Sequence, residues 1–346
     1  MKKKKLLIIL GCIFLFLIIN YFIGGYIATA IVNKSIFDKR GSDVEIFDED
    51  KLEYIIYKYR VDYPNLSVRE EYDFKSGKNN LKGYYYKHED EKGLVLSAHG
   101  MGSLADGLDT QYQNWFYENG YSVFAIDLTA SGNSEGNSMK GLFQSAYDVK
   151  AAYDFIIENN LIKNKFIMVG HSWGAFGISA SLSLGVKADY IITFSAYDTP
   201  FELMFHRAKQ TVGGFADFTY PAFKLSCATY FGNKIFMSAS KAIKKSNIKA
   251  LIFNGINDVT VPYNTFSLYN RLNDSDNVKR VLLEEIDHST PWLSVESNNK
   301  YYQYLYHYQT EITTEEEKEE FKASINKDET TILSDIVIDN INSFLS

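Results

Sequence analysis

The sequence predicts an α/β fold: a mostly parallel central sheet with helices on both faces, an insertion late in the sheet, and a transmembrane helix at the N-terminus. Three observations predict it. From residue 93 onward short apolar runs alternate with longer amphipathic ones, an uncharged stretch follows a lysine cluster at the start, and one glycine-flanked serine stands between a strand-like and a helix-like run. Such alternation builds right-handed βαβ units, whose strands lie parallel and whose helices cover the sheet.

Lys2 to Lys5 precede an uncharged apolar run from Leu6 to Val32. That run exceeds the ~20 residues a helix needs to cross a bilayer. Lysines ahead of it favour a cytoplasmic N-terminus and place the rest of the chain outside. Residues 1–34 therefore read as a single-pass anchor in the cell membrane. Ala28-Thr29-Ala30 has the small-x-small form of a signal-peptidase site, and cleavage there would make the protein secreted. The apolar run is longer than the roughly 7–15 residues of a signal-peptide core, which favours an uncleaved anchor. Leu10-Gly11-Cys12 has too few apolar residues before it for a lipoprotein site. Residues 35–66, charged and aromatic, read as a linker or short helix, and 67–346 as the α/β domain.

Composition narrows the function classes. A net charge of −7 argues against a nucleic-acid binder, which needs a basic surface to displace counterions. Cys12 lies in the apolar leader and Cys227 stands alone, so no disulfide framework is expected. No Cys/His cluster has zinc spacing. Neither a metal nor an organic cofactor is expected.

Within the domain, strand-like segments around Glu71–Phe74 and Leu81–Lys87 flank Ser76-Gly77-Lys78-Asn79, a hairpin turn. Strands follow at Gly93–Ala98, Tyr121–Ile126, Phe166–Val169, Tyr190–Phe194, Ala250–Asn254 and Arg280–Glu284. Helices are expected at 104–119, 139–159, 173–184, near 266–272 and at 330–344. The rhythm breaks at about 198–247, read as an insertion. The acidic segment Glu315–Glu320 reads as a solvated helix face within a second insertion.

Phe166-Ile-Met-Val-Gly170-His171-Ser172-Trp173-Gly174 is a G-x-S-x-G between an apolar strand and a helix of small residues. The glycines permit a sharp reversal that lifts the serine hydroxyl above the sheet at a helix N-terminus. A serine hydroxyl needs a base to become a nucleophile. His288 follows a late strand and is the candidate base, whereas His307 lies in a tyrosine-rich stretch with no strand before it. Asp258 follows the strand Ala250–Asn254 and is the candidate acid that orients the imidazole. Asp287 adjoins His288, too near in the chain to bond it well. The turn His99-Gly100-Met101-Gly102 and the serine turn suggest the Met101 and Trp173 backbone N–H groups as an oxyanion hole.

These residues resemble the α/β-hydrolase superfamily, in particular its lipase, esterase and serine aminopeptidase-like branch with a cap domain. The likeness covers about residues 70–346 and rests on His99-Gly100, Asp127 with Gly132 and Ser134, Gly170–Gly174, Gly255 with Asp258 and Pro262, and His288. One departure is visible: the family's turn D-x-R-G-x-G-x-S has Thr129 and Ala130 here in place of Arg and the first Gly. The resemblance implies that the insertion at about 198–247 is a cap over the substrate. Phe201, Met204, Phe205, Phe215, Tyr220 and Phe223 are its candidate lining or its own core. The expectation is a membrane-anchored, extracytoplasmic serine hydrolase cleaving a carboxylic ester of a small-molecule or lipid-like acyl substrate. A serine aminopeptidase-like peptidase is the second reading, with Glu202 or Asp217 binding the substrate amino group. A third is a non-catalytic surface binding protein with a vestigial hydrolase fold.

Overall fold

The structure, a computed structural model, describes residues 2–41 and 62–346. Most of the expected linker thus lies outside the described residues. Helix α1 (Lys2–Val32) is long and apolar enough to cross a membrane. Its last turn widens over Asn33–Phe37, and Phe37 is buried in the domain core.

The domain begins with strands β1 (Arg69–Ser76) and β2 (Asn79–Tyr86), an antiparallel pair closed by a two-residue turn with Gly77 at φ 60°. Then come β3 (Gly93–Ala98), α2 (Thr110–Glu118), β4 (Ser122–Ile126), α3 (Gln144–Glu158), β5 (Lys165–His171) and α4 (Ser172–Ser181). β6 (Tyr190–Phe194) precedes the insertion, which holds α5 (Pro200–Val212), α6 (Phe215–Phe231) and α7 (Ala239–Ser246). β7 (Lys249–Gly255), α8 (Leu268–Arg271), β8 (Val278–Leu283), α9 (Val295–Thr310), α10 (Glu315–Ser324) and α11 (Asp335–Leu345) complete the chain.

The eight strands form one sheet in the order β1-β2-β4-β3-β5-β6-β7-β8, parallel from β4 to β8. Alternation along each strand divides the core. Leu94, Leu96, Met168 and Ile252 face the layer that contains Val149, Phe176 and Ile243. Val95, Ile167, Val169 and Leu251 face the layer of Tyr112, Phe116, Trp292 and Ile341. Both faces are covered, so the parallel strands read as continuous apolar runs rather than alternating ones.

Four helices are shorter than the sequence suggested, among them the one near 266–272, which is only Leu268–Arg271, and the closing one, which starts at Asp335 and not at 330. α2 starts at Thr110, not 104, because Asp106-Gly107 turn the chain first, with the Gly107 N–H bonded to the Leu104 carbonyl. The 139–159 helix starts at Gln144, since Lys140, Gly141 and Leu142 all have positive φ, which a right-handed helix does not accommodate. The acidic stretch forms α10, whose N-terminus is closed by a capping box between Thr314 and Glu317.

Candidate active site

Ser172 joins β5 directly to α4 and has φ 48°, a left-handed conformation that β-carbon sterics disfavour. The flanking glycines make the turn possible. A β-carbon on Gly174 would stand 2.0 Å from the Ala98 carbonyl oxygen, and one on Gly170 would stand 2.8 Å from the Ala175 nitrogen. Without them the elbow could not press against the end of β3.

Asp258 follows β7 and is buried. Its Oδ1 accepts the backbone N–H groups of Thr260 (2.9 Å) and Val261 (2.7 Å), which fixes the loop. Its Oδ2 lies 2.8 Å from His288 Nδ1, and His288 Nε2 lies 2.9 Å from Ser172 Oγ. The carboxylate accepts from Nδ1–H, which leaves Nε2 as the acceptor for the serine hydroxyl. Burial alone raises the Asp258 carboxyl, but the hydrogen bond and charge of His288 and the Val261 N–H bring it below the usual carboxylate range. The structure thus brings Ser172, Asp258 and His288 together at the carboxyl edge of the parallel strands, where ligands of open α/β sheets bind. His307, on α9, pairs instead with Glu311.

Two buried histidines support the site. Burial pushes His171 down to about 3, with the nearby His288 adding to the effect, so its imidazole is neutral. Its Nε2 lies 2.7 Å from the His288 carbonyl oxygen and donates to it, holding the backbone of the base. His99 is pushed down to about 4 by burial. Its Nδ1 donates to the Gly100 carbonyl (2.7 Å) and its Nε2 accepts from the Leu128 N–H (3.1 Å). It shapes the turn that carries Met101.

A cavity of about 90 Å³ opens on Ser172 and His288 and is lined by Phe37, Met101, Leu142, Trp173, Leu203, Arg207 and Thr260. Met101 and Trp173, the expected oxyanion donors, are both on its wall. From the insertion only Leu203 and Arg207 reach it. Phe201, Met204 and Phe223 are buried in the core, Phe205 stacks on Phe201, Tyr220 meets both rings edge-on, and Phe215 faces outward.

Sequence reasoning missed Phe37 and Arg40. They precede the serine by more than 130 residues, and no local pattern marks them. Arg40 donates through Nη1 to the carbonyls of Ser134 and Gly136 (both 3.0 Å) and through Nη2 to that of Gly132. The Gly41 N–H donates to the Ala130 carbonyl (2.7 Å). The segment leaving α1 is thereby clasped to the very turn that departs from the expected motif. In that turn Thr129 bonds the buried Asp148 through its N–H and hydroxyl, both at 2.8 Å, and Ala130 adopts φ 62° where the motif has glycine.

Comparison with known proteins agrees with this architecture. Residues 89–255 match the family model described as serine aminopeptidase, S33 (Hydrolase_4). No curated protein matches the sequence at a significant level. Among solved structures, the chain is similar to the Pyrococcus furiosus esterase Pf2001, at 16% identity and a TM-score of 0.51, over 83% of this chain and 97% of that one. It is also similar to the Pyrococcus horikoshii acylaminoacyl peptidase, at 15% identity and a TM-score of 0.49, over 72% and 43% of the two chains. The sheet order and the glycine-flanked serine elbow are those of an α/β-hydrolase fold, which the chain shares with the Pf2001 esterase, and its central region matches the serine aminopeptidase S33 family model.

Proposed function

We propose that the protein is a membrane-anchored serine hydrolase that cleaves a carboxylic ester through an acyl-enzyme on Ser172. The observation that carries this reading is the unbroken relay from Asp258 through His288 to Ser172, with both links under 3 Å. Ser172 Oγ attacks the ester carbonyl carbon as its proton passes to His288 Nε2. The oxyanion is received by the Met101 and Trp173 N–H groups. The intermediate collapses, the C–O bond breaks, and the leaving alkoxide takes the proton from His288. Water, deprotonated by the same imidazole, then releases the acid.

The shape and charge of the cavity favour an ester over an aminopeptidase substrate. Binding a substrate ammonium calls for a carboxylate at the cavity. Glu202 is instead held by Thr199 and Arg271, and Asp217 by Lys209. The cap group that does line the cavity is the Arg207 guanidinium, which repels an ammonium. The length of α1 and its lysines support an anchor with the catalytic domain outside the cytoplasm.

A fluorophosphonate probe tests the proposal. Covalent labelling of the wild type, absent from Ser172→Ala and His288→Ala, is the expected result, and p-nitrophenyl esters should then turn over faster than aminoacyl anilides. A folded wild type that takes no probe would sink the catalytic reading and favour a binding role.

A further inference from the structure

The insertion does more than lie over the site. Its α5–α6 corner stands against the membrane helix. Tyr21 meets Phe218, with ring centroids 5.1 Å apart and the Tyr21 hydroxyl donating to the Phe218 carbonyl at 2.5 Å. Gly25 meets Ala222 so closely that a β-carbon there would lie 2.3 Å from the Ala222 side chain. The Ser226 hydroxyl donates to the Tyr26 carbonyl at 3.3 Å. Partners rise together in number, so α6 runs parallel to α1 and its N-terminal end points back toward the bilayer.

Counting from Leu6, the ~20 residues that span a hydrocarbon core end near Gly25. Tyr21 to Tyr26 then mark the outer interface, where aromatic side chains concentrate. The end of α6 that points past this level is apolar and uncovered. Val212 is 50% exposed, Phe215 63% and Phe218 65%. Between Lys209 and Lys224 the sole charge is Asp217, which pairs with Lys209 at 2.9 Å. Water is a poor solvent for three adjacent large side chains, and the surface continuous with them is the lipid-facing flank of α1.

We propose that the corner formed by Val212, Phe215 and Phe218 inserts into the acyl-chain region of the outer leaflet beside α1, so that the bilayer is the partner of the cap. The proposal rests on the reading of α1 as an uncleaved membrane anchor. It has a consequence for the site. Leu203 and Arg207 reach the cavity from α5, whose last residue, Val212, is part of this corner, so one short helix runs from the cavity wall to the lipid contact. An ester drawn from the outer leaflet would meet the cap before it meets water.

Depth-dependent quenching of the full-length protein in phosphatidylcholine/phosphatidylglycerol nanodiscs tests this. Cys12 is exposed on α1, whereas Cys227 is buried and its thiol is pushed up to about 12, so a thiol-reactive fluorophore on the wild type reports the anchor. A Cys12→Ser, Phe215→Cys protein reports the corner, and Cys12→Ser, Ile336→Cys on α11 is the solvent control. Lipids with brominated acyl chains should quench the Cys12 and Phe215→Cys labels severalfold and leave the Ile336→Cys label bright. A Phe215→Cys label quenched by aqueous iodide and not by lipid, beside a lipid-quenched Cys12 label, would overturn the proposal and leave the anchor standing. Shielding of that label from both quenchers would overturn it in favour of a protein neighbour. A Cys12 label that lipid does not reach would remove the anchor and the cap contact together.

Discussion

Asp258 meets two demands with one carboxylate: Oδ1 holds its own loop and Oδ2 faces His288. Asp258→Asn keeps an acceptor for the loop but places an amide or a misoriented oxygen before the imidazole. The fold should survive, and ester turnover should fall by about 10³–10⁴ in kcat, as loss of the correct tautomer does in such triads. Steady-state kinetics beside a melting curve check both halves. Phe37 invites a different test, because it closes one wall of the cavity beside Ser172. Phe37→Leu and Phe37→Ala should move preference toward longer acyl chains, by roughly tenfold in kcat/KM across a p-nitrophenyl ester series for the alanine variant (a change of about 1.4 kcal/mol). The alanine should also cost about 3–5 kcal/mol of stability, as removal of a buried phenyl ring does. An unchanged chain-length profile would show that Phe37 is packing alone.

Helices and turns set what the residues can do. α4 begins at the nucleophile because the elbow ends β5 abruptly, and α2 begins after Asp109, a fully buried carboxyl. The Tyr112 hydroxyl donates to Asp109 Oδ1 at 2.6 Å, while Oδ2 has no hydrogen-bond partner among the described residues. Burial pushes this group up to about 7. A carboxyl raised in the folded state binds its proton more tightly there than when unfolded, so its ionisation takes stability away as pH rises from about 4 to about 7. Asp109→Asn keeps the acceptor for Tyr112 and removes the charge. Its melting temperature should exceed that of the wild type by at least a few degrees at pH 8, and the gain should fade toward pH 4. A gain independent of pH would mean that the carboxyl binds its proton equally well folded and unfolded, and that burial does not raise it. The elements themselves were legible in outline from apolar periodicity. Their starts were not, because Gly107 and the positive φ values at 140–142 answer to turn geometry rather than to periodicity.

At the scale of the whole molecule the proposed anchor helix, α1, packs into the domain. The widened end of α1 buries Phe37 in the core, and Arg40 grips the 132–136 turn. The proposed topology predicts that the protein sediments with membranes after high-salt and carbonate washing. Protease added to intact cells should reach the domain while an N-terminal tag before Lys2 stays protected. Release by carbonate would point to a peripheral protein, and protection of the domain would invert the orientation. The same connection makes the segment after α1 a poor place to truncate, since a chain begun beyond Gly41 loses a wall of the cavity.

The sequence alone determined what short-range sterics and periodicity can specify. A two-residue hairpin turn needs Gly77, parallel strands buried on both faces are apolar throughout, and a serine at φ 48° against the end of β3 demands glycines at 170 and 174. The order Ser172, Asp258, His288 after the ends of β5, β7 and β8 was legible for the same reason, since each follows an element that periodicity reveals. Tertiary structure decided the rest. Which cap residues meet the cavity depends on how α5 and α6 turn over the sheet, and that placed Leu203 and Arg207 there and Phe215 on the outside. Phe37 and Arg40 entered the site's surroundings through contacts closed across about a hundred residues or more. Such contacts depend on shape complementarity between elements, which leaves no periodic trace in the chain.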